Sequence, residues 1–308
     1  MTDNKQKSVV ALVLARGGID EFPVHRNLKY KALLPFLGQP LIAYVVDALA
    51  DSAAENIFIL QEQDACLESA LRSHPKVNFI NHDGPSASVA EGLVFGLEQI
   101  LRYYGGQTDR FIAIVPCDIP KVRSSEINVL IDQLQQTDGD VVFTSIRLGA
   151  LGGLKQRATI YSPELREKTA SQNINFLSGS RLKLDGKGHL IILDKEDRVI
   201  NGIDHVLDSI RKHRKSAFLW PRLIYQFYGS RLLKNGHYIL LIESLTRLVT
   251  GRLNMPGVRK VYDAAVNIRV DVIISAYPSF SFDVDTPNDL TKLESTFYSW
   301  EPFKDVLK

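Results

Sequence analysis

Residues 8–22 read SVVALVLARGGIDEF. From Val9 to Ala15 every residue is apolar, with no alternation between a wet and a dry face. A short continuous run of this kind is the pattern of a strand covered on both sides, as in a parallel sheet between helical layers. Arg16, Gly17 and Gly18 end it abruptly, so a glycine loop is expected at the carboxyl end of the first strand.

The segments that follow repeat the theme. PLIAYVVDALADS at Pro40–Ser52 has helical apolar spacing, and NIFIL at Asn56–Leu60 is a second buried strand. A helix over Asp64–Ser73, a strand over Val77–Ile80 and a long helix over Ser86–Tyr104 come next. FIAIV at Phe111–Val115, a helix over Ser124–Gln136 and a strand over Asp140–Ser145 complete the series. Strands interleaved with helices of about this length predict right-handed crossovers. The fold class is therefore α/β, a mostly parallel Rossmann-like sheet with helices on both faces.

Gly149, Gly152 and Gly153 interrupt the alternation. Arg181–Leu184 and His189–Leu193 then flank DGKG and read as a β-hairpin, expected as an antiparallel insertion lying over the sheet. Residues 202–267 look helical throughout. Val270–Ser275 and Phe280–Val284 return to strand, and Thr286–Pro287 opens a closing helix, since a threonine cap followed by proline is a helix-start signature. The organisation expected is an α/β core over 1–148, the hairpin insertion over 149–201, a helical subdomain over 202–268 and a return to the core over 269–308.

The chain has 308 residues, 45% of them hydrophobic, enough for a large core. It has no uninterrupted apolar stretch of membrane-spanning length and no apolar run of a secretory signal behind its polar start. Cys66 and Cys117 have neither a disulfide framework nor metal-ligand spacing, so a cytoplasmic setting is expected. The seven histidines form no ligand cluster and are read as structural. The net charge of +2 is unevenly spread: residues 203–262 hold eleven Lys and Arg against three Asp and Glu. RKHRK at Arg211–Lys215, beside aromatic and apolar residues, offers a face to an anionic or lipid-linked acceptor or to a membrane surface. A packed helical subdomain with a solvated basic rim is the plainer reading, and nucleic acid is not an expected partner.

In an open α/β sheet ligands bind beyond the carboxyl ends of the strands, where the N–H groups of Gly17 and Gly18 could face phosphates. NLKYKALLPFLGQPLI at Asn27–Ile42 extends that loop. This string resembles the N-terminal signature of the MobA-like nucleotidyltransferases, a group that includes molybdenum-cofactor guanylyltransferases, sugar-phosphate nucleotidyltransferases and methylerythritol-phosphate cytidylyltransferases. Lys31, Leu33, Pro35, Gly38 and Pro40 fall on the pattern. The resemblance implies a GT-A-like nucleotidyltransferase fold. It also implies transfer of a nucleoside monophosphate from an NTP to a small, phosphorylated acceptor, with Mg²⁺ as cofactor and pyrophosphate released.

Residue by residue, it assigns Leu14, Ala15, Gly17 and Gly18 to nucleotide binding and Lys31 to the triphosphate. Arg16 stands where the family has a small residue, and Arg16 and Arg26 are the candidates for its loop arginine. FIAIVPCDIPKV at Phe111–Val122 carries the D-x-P aspartate, Asp118, as a metal ligand, with Cys117 beside it as core filler. SFDVDTPNDL at Ser281–Leu290 resembles the closing D-x-D-T-P string, which makes Asp285 the second ligand and Asp283 its alternate. Period-two spacing places both on one face of a strand, and Asp289 is read as structural. NHDGPSASVAEGLVFGL at Asn81–Leu97 resembles the segment that holds base and ribose, with Gly84, Ser86 and Ser88 as candidates. Two other activities compete: a GT-A glycosyltransferase using a nucleotide sugar, and a non-catalytic nucleotide sensor.

Overall fold

The computed structural model describes residues 7–25, 28–63, 67–71, 73–82, 89–147, 159–162, 167–197, 199, 240, 243 and 255–297. In chain order the first elements are β1 (Val9–Leu14), β2 (Pro35–Phe36), β3 (Gln39–Pro40), α1 (Leu41–Ala50), β4 (Ile57–Glu62), α2 (Leu67–Ala70), β5 (Val77–His82) and α3 (Val89–Tyr103). They are followed by β6 (Phe111–Pro116), α4 (Ser124–Leu134), β7 (Val141–Arg147), β8 (Thr159–Ser162), β9 (Glu167–Ser178), β10 (Leu182–Leu184) and β11 (Leu190–Ile192). The last are α5 (Met255–Val266), β12 (Val270–Ser275) and α6 (Pro287–Thr296).

The main sheet runs β12-β7-β9-β6-β1-β4-β5, with β8 paired to β9. The contacts of β1 with β4 and β6, of β4 with β5 and of β12 with β7 are parallel. Every contact of β9 is antiparallel. The fold class is the expected one, and each buried apolar run became a parallel strand. On one face Val9, Ala11 and Val13 pack with residues of α1 and α4; on the other Val10 and Leu12 pack with α3. Burying both faces of β1 leaves its only wet part at its ends, which is why chemistry collects there.

Three expectations change. The β10–β11 hairpin exists, but the insertion does not merely lie over the sheet: β9 threads into its middle, between β6 and β7. Its sequence, EKTASQNINFLS, is too polar to read as a central strand, yet Ile174 and Phe176 are buried and supply the core-facing alternation. Residues 280–284 are not a strand. Pro278–Ser281 makes a 3-10 turn, after which the chain runs extended into α6. The helix expected over Asp64–Ser73 is described only as the single turn α2. Of the basic helical region, α5 and the helical positions Leu240 and Glu243 are described; Arg211–Lys215 lies outside the described residues. Among the described residues no helix is long and apolar enough to cross a membrane.

Candidate active site

Lys31 opens a 3-10 turn, Lys31–Leu33, just before the β2–β3 ribbon. The ribbon's two-residue turn has positive φ at both Leu37 and Gly38, the conformation that a tight right-twisted hairpin demands. Gly38 is therefore in the motif for backbone reasons. The ribbon in turn delivers the chain to Leu41, whose N–H bonds to Leu34 O. Lys31 itself is pinned by its own N–H, which donates to Gly17 O at 2.9 Å. Its side chain is only 11% exposed.

Nζ of Lys31 donates to Asp118 Oδ2 at 2.6 Å and to Asp285 Oδ1 at 2.9 Å. Residues drawn from three distant parts of the chain thus meet at one point. Burial pulls the Lys31 ammonium down, but the two carboxylates outweigh it and hold its pKa above the ordinary lysine value. Asp118 sits two residues beyond β6, just past the buried Cys117. Asp285 is brought to it without strand pairing: the N–H of the buried Val284 donates to Asp118 O at 3.0 Å. The expected strand face is thereby corrected: the segment joins no ladder, and this bond does positioning that a ladder was expected to do. Asp283 is half-buried on the same extended segment, two residues from the Lys31 contact. The expected helix start is present. Thr286 caps α6 in a reciprocal box with Asp289, so Asp289 is structural as expected.

Asp118 and Asp285 present a pair of carboxylates to a single cationic nitrogen. A cation site of two carboxylates suits Mg²⁺, which takes one or two such ligands and fills its other positions with phosphate oxygens and water. Among the described residues no cluster of three or more His, Cys, Asp or Glu exists that would suit a metal held by protein alone. Cys117 is buried, and burial followed by the neighbouring Asp118 charge pushes its thiol far above the ordinary range. It packs within the core, where the sequence reading put it.

The rest of the loop divides. Leu14 closes β1, and the N–H of Ala15 bonds to Leu60 O. Gly17 and Gly18 are exposed, and a Cβ on Gly17 would lie 3.7 Å from Lys31 Cβ, in ordinary contact. Arg16 turns away from Lys31's carboxylates: its Nη2 lies 3.6 Å from Glu62 Oε1 at the end of β4. Arg26, Gly84, Ser86 and Ser88 lie outside the described residues. Two residues were not anticipated. Tyr30, adjacent to Lys31, donates its hydroxyl to Glu62 Oε2 at 3.3 Å, so Glu62 meets Arg16 and Tyr30 together. The only hint in the sequence was a glutamate just past a buried apolar run.

The model of the MobA-like NTP transferase domain family matches residues 25–193. Among solved structures, the chain is similar to one described as a hypothetical transferase from Thermus thermophilus. The TM-score is 0.62 at 17% identity, covering 92% of this chain and 99% of that one. It is also similar to CMP:2-keto-3-deoxy-manno-octonic acid synthetase complexed with CTP, at a TM-score of 0.47 and 14% identity, covering 95% and 99%. No curated protein matches the sequence. At 17% identity the first of these likenesses speaks to the fold alone.

Proposed function

The chain belongs to the MobA-like NTP transferase domain family, and from that premise we propose that it moves a nucleoside monophosphate from an NTP to an oxygen of a small acceptor, releasing pyrophosphate. The observation that carries this reading is the meeting of Lys31 Nζ with both Asp118 and Asp285. A buried cation beside two carboxylates, at the carboxyl ends of parallel strands, is what a polyanion with a divalent counter-ion requires.

Asp118 and Asp285 would hold Mg²⁺, which when bound supplies positive charge to the phosphate oxygens. Lys31, held at the same point by those carboxylates, would be the cation that meets the triphosphate, a task suited to a mobile point charge. The acceptor oxygen forms a bond to the α-phosphorus as the bond to the β-phosphate oxygen breaks, and Lys31 stabilises the charge gathering on the leaving pyrophosphate. Val284, through its bond to Asp118 O, keeps the two carboxylates at a fixed separation while this happens. A phosphorylated acceptor needs no general base, and the excess of Lys and Arg in residues 203–262 suits an anionic one.

The test is pyrophosphate release from each of the four NTPs with Mg²⁺, against sugar phosphates, polyol phosphates and pterin acceptors. Release that depends on acceptor and on Mg²⁺ is expected. Consumption of a UDP-sugar with no NTP turnover would overturn the reading in favour of glycosyl transfer.

A further inference from the structure

The Arg16–Glu62 pair has a geometry that the phosphate site does not use. Arg16 lies on the sheet face that carries α3, and a Cβ at Gly92 would stand 2.9 Å from its Nη1. A Cβ there would push the end of the guanidinium aside, so the arginine tip lies directly against the glycine. Two of its nitrogens, Nε and Nη2, are shut off from solvent without a hydrogen-bond partner. Glu62 does not satisfy them: its Oε1 is 3.6 Å from Nη2, beyond hydrogen-bonding distance. Its other oxygen accepts from Tyr30. Buried donors without acceptors are rare and costly, and a ligand that supplies acceptors removes the cost.

Nε and Nη2 are the side-on fork of a guanidinium, two parallel N–H groups that fit two neighbouring acceptors. Next to Nη2 stands the Glu62 carboxylate, an acceptor. Along this edge the protein therefore offers donor, donor, acceptor. Its complement is a flat edge with two adjacent acceptors and then a donor. Cytosine has that order in O2, N3 and the N4 amino group, and guanine has it in N7, O6 and N1–H. Uracil places its N3–H between two carbonyls, and adenine places its amino group between two ring nitrogens, so neither matches. A phosphate is disfavoured, because the Glu62 charge lies beside the fork. The location agrees: Glu62 holds Tyr30, the residue next to Lys31, so base and triphosphate would lie on either side of one dipeptide.

We propose that Arg16, set by Glu62 and admitted by Gly92, reads the base of the nucleotide and selects cytosine or guanine over uracil and adenine. This rests on the reading of the neighbouring site as a triphosphate site. Both nitrogens are out of reach of water, so binding has to draw back what covers them while the fork and Glu62 keep their places, and the unmet donors favour that change.

The experiment is titration calorimetry of the full chain with Mg²⁺ and each of CTP, GTP, UTP and ATP, with inorganic tripolyphosphate as the probe lacking a base. CTP or GTP should bind about tenfold or more tightly than UTP and ATP. Arg16→Met should bring that ratio to within about threefold. Arg16→Lys, which keeps the charge and most of the volume but not the fork, should do the same if the methionine variant does not fold. Wild-type preference for UTP or ATP, or a ratio that survives both substitutions, overturns the assignment. Equal affinity for all four with tripolyphosphate still bound overturns it while the phosphate reading stands; loss of tripolyphosphate binding removes both.

Discussion

Two ion triads stand at opposite ends of the sheet, and they are mirror images in charge. At the carboxyl ends, one cation, Lys31, is shared by Asp118 and Asp285. At the amino ends, one carboxylate, Asp140, is shared by Arg181 at 2.8 Å and Arg269 at 3.5 Å. Asp140 is also tied into backbone: its Oδ2 accepts the N–H of Arg269, and its own carbonyl accepts that of Ser178. The Asp140 carboxylate is 4% exposed, whereas that of Asp285 is 65% exposed. The difference teaches how the same pairing chemistry separates into structure and function. A triad sealed at its anion and bonded to two strands locks β7, β9 and β12 together. A triad with one of its two carboxylates, Asp285, open to solvent is the one that the proposed function would have exchange its lysine for another cation.

Four substitutions would break or sharpen that contrast. Lys31→Ala should lower NTP turnover about a hundredfold or more while far-ultraviolet circular dichroism stays that of the folded chain. Near-normal pyrophosphate release from that variant would remove its role. Asp140→Asn should do the opposite, costing about 3 kcal/mol in urea unfolding with turnover nearly unchanged, because two arginines lose a buried partner. Asp118→Asn should abolish the Mg²⁺ dependence of thermal protection by NTP; protection that still depends on Mg²⁺ would place the cation elsewhere.

The Asp140 triad also has a pH signature. Burial raises the Asp140 carboxyl, but Arg181 and the Arg269 amide overcome it and hold the group below its usual value. Its stabilisation is complete above the unfolded-state value, about 3.9, and is lost as pH falls through the lower folded one. The gap between wild type and Asp140→Asn should therefore close below about pH 4.

The smallest effect concerns Lys121, whose Nζ donates to Thr296 Oγ1 at 2.8 Å and lies over the Phe282 ring, tying the Asp118 loop to α6. Burial, then Arg123, lowers its pKa to about 8. Below that pH both folded and unfolded chains carry the proton. From about 8 to the unfolded value near 10.4, only the unfolded chain does, so wild-type stability rises with pH across that window. Relative to Lys121→Met, wild type should gain stability there, held to on the order of 1 kcal/mol by solvent screening and read by thermal melts at pH 7.5 and 10. A difference that stays flat would contradict the shifted lysine.

What could be read before any coordinates follows from local physics. The buried runs at Val9–Ala15, Asn56–Leu60 and Phe111–Val115 state their burial in their own composition, and Thr286–Pro287 states a helix start. Lys31, Asp118 and Asp285 were legible as parts through the resemblance of three short strings to the family's signature. β9 was not legible, because a strand recruited between β6 and β7 takes its stability from partners distant in the chain, and its polar residues mask its period. Arg16 was legible as an oddity and Glu62 only as a glutamate at the end of an apolar run, since an unmet donor exists only when everything around it is in place.

The alternation of buried strands and helices around β1, β4, β6 and β7 and the two-faced burial of β1 were thus determined by the sequence alone, because propensity, burial pattern and turn chemistry act over a few residues. Tertiary structure decided that Lys31 lies within hydrogen-bonding distance of carboxylates 87 and 254 positions away, and that Val284, not a ladder, sets their spacing. It decided too that Arg16 faces Glu62. These are distances across the sheet, fixed by its register and by the packing of α3 and α6 on it, and no local pattern encodes them.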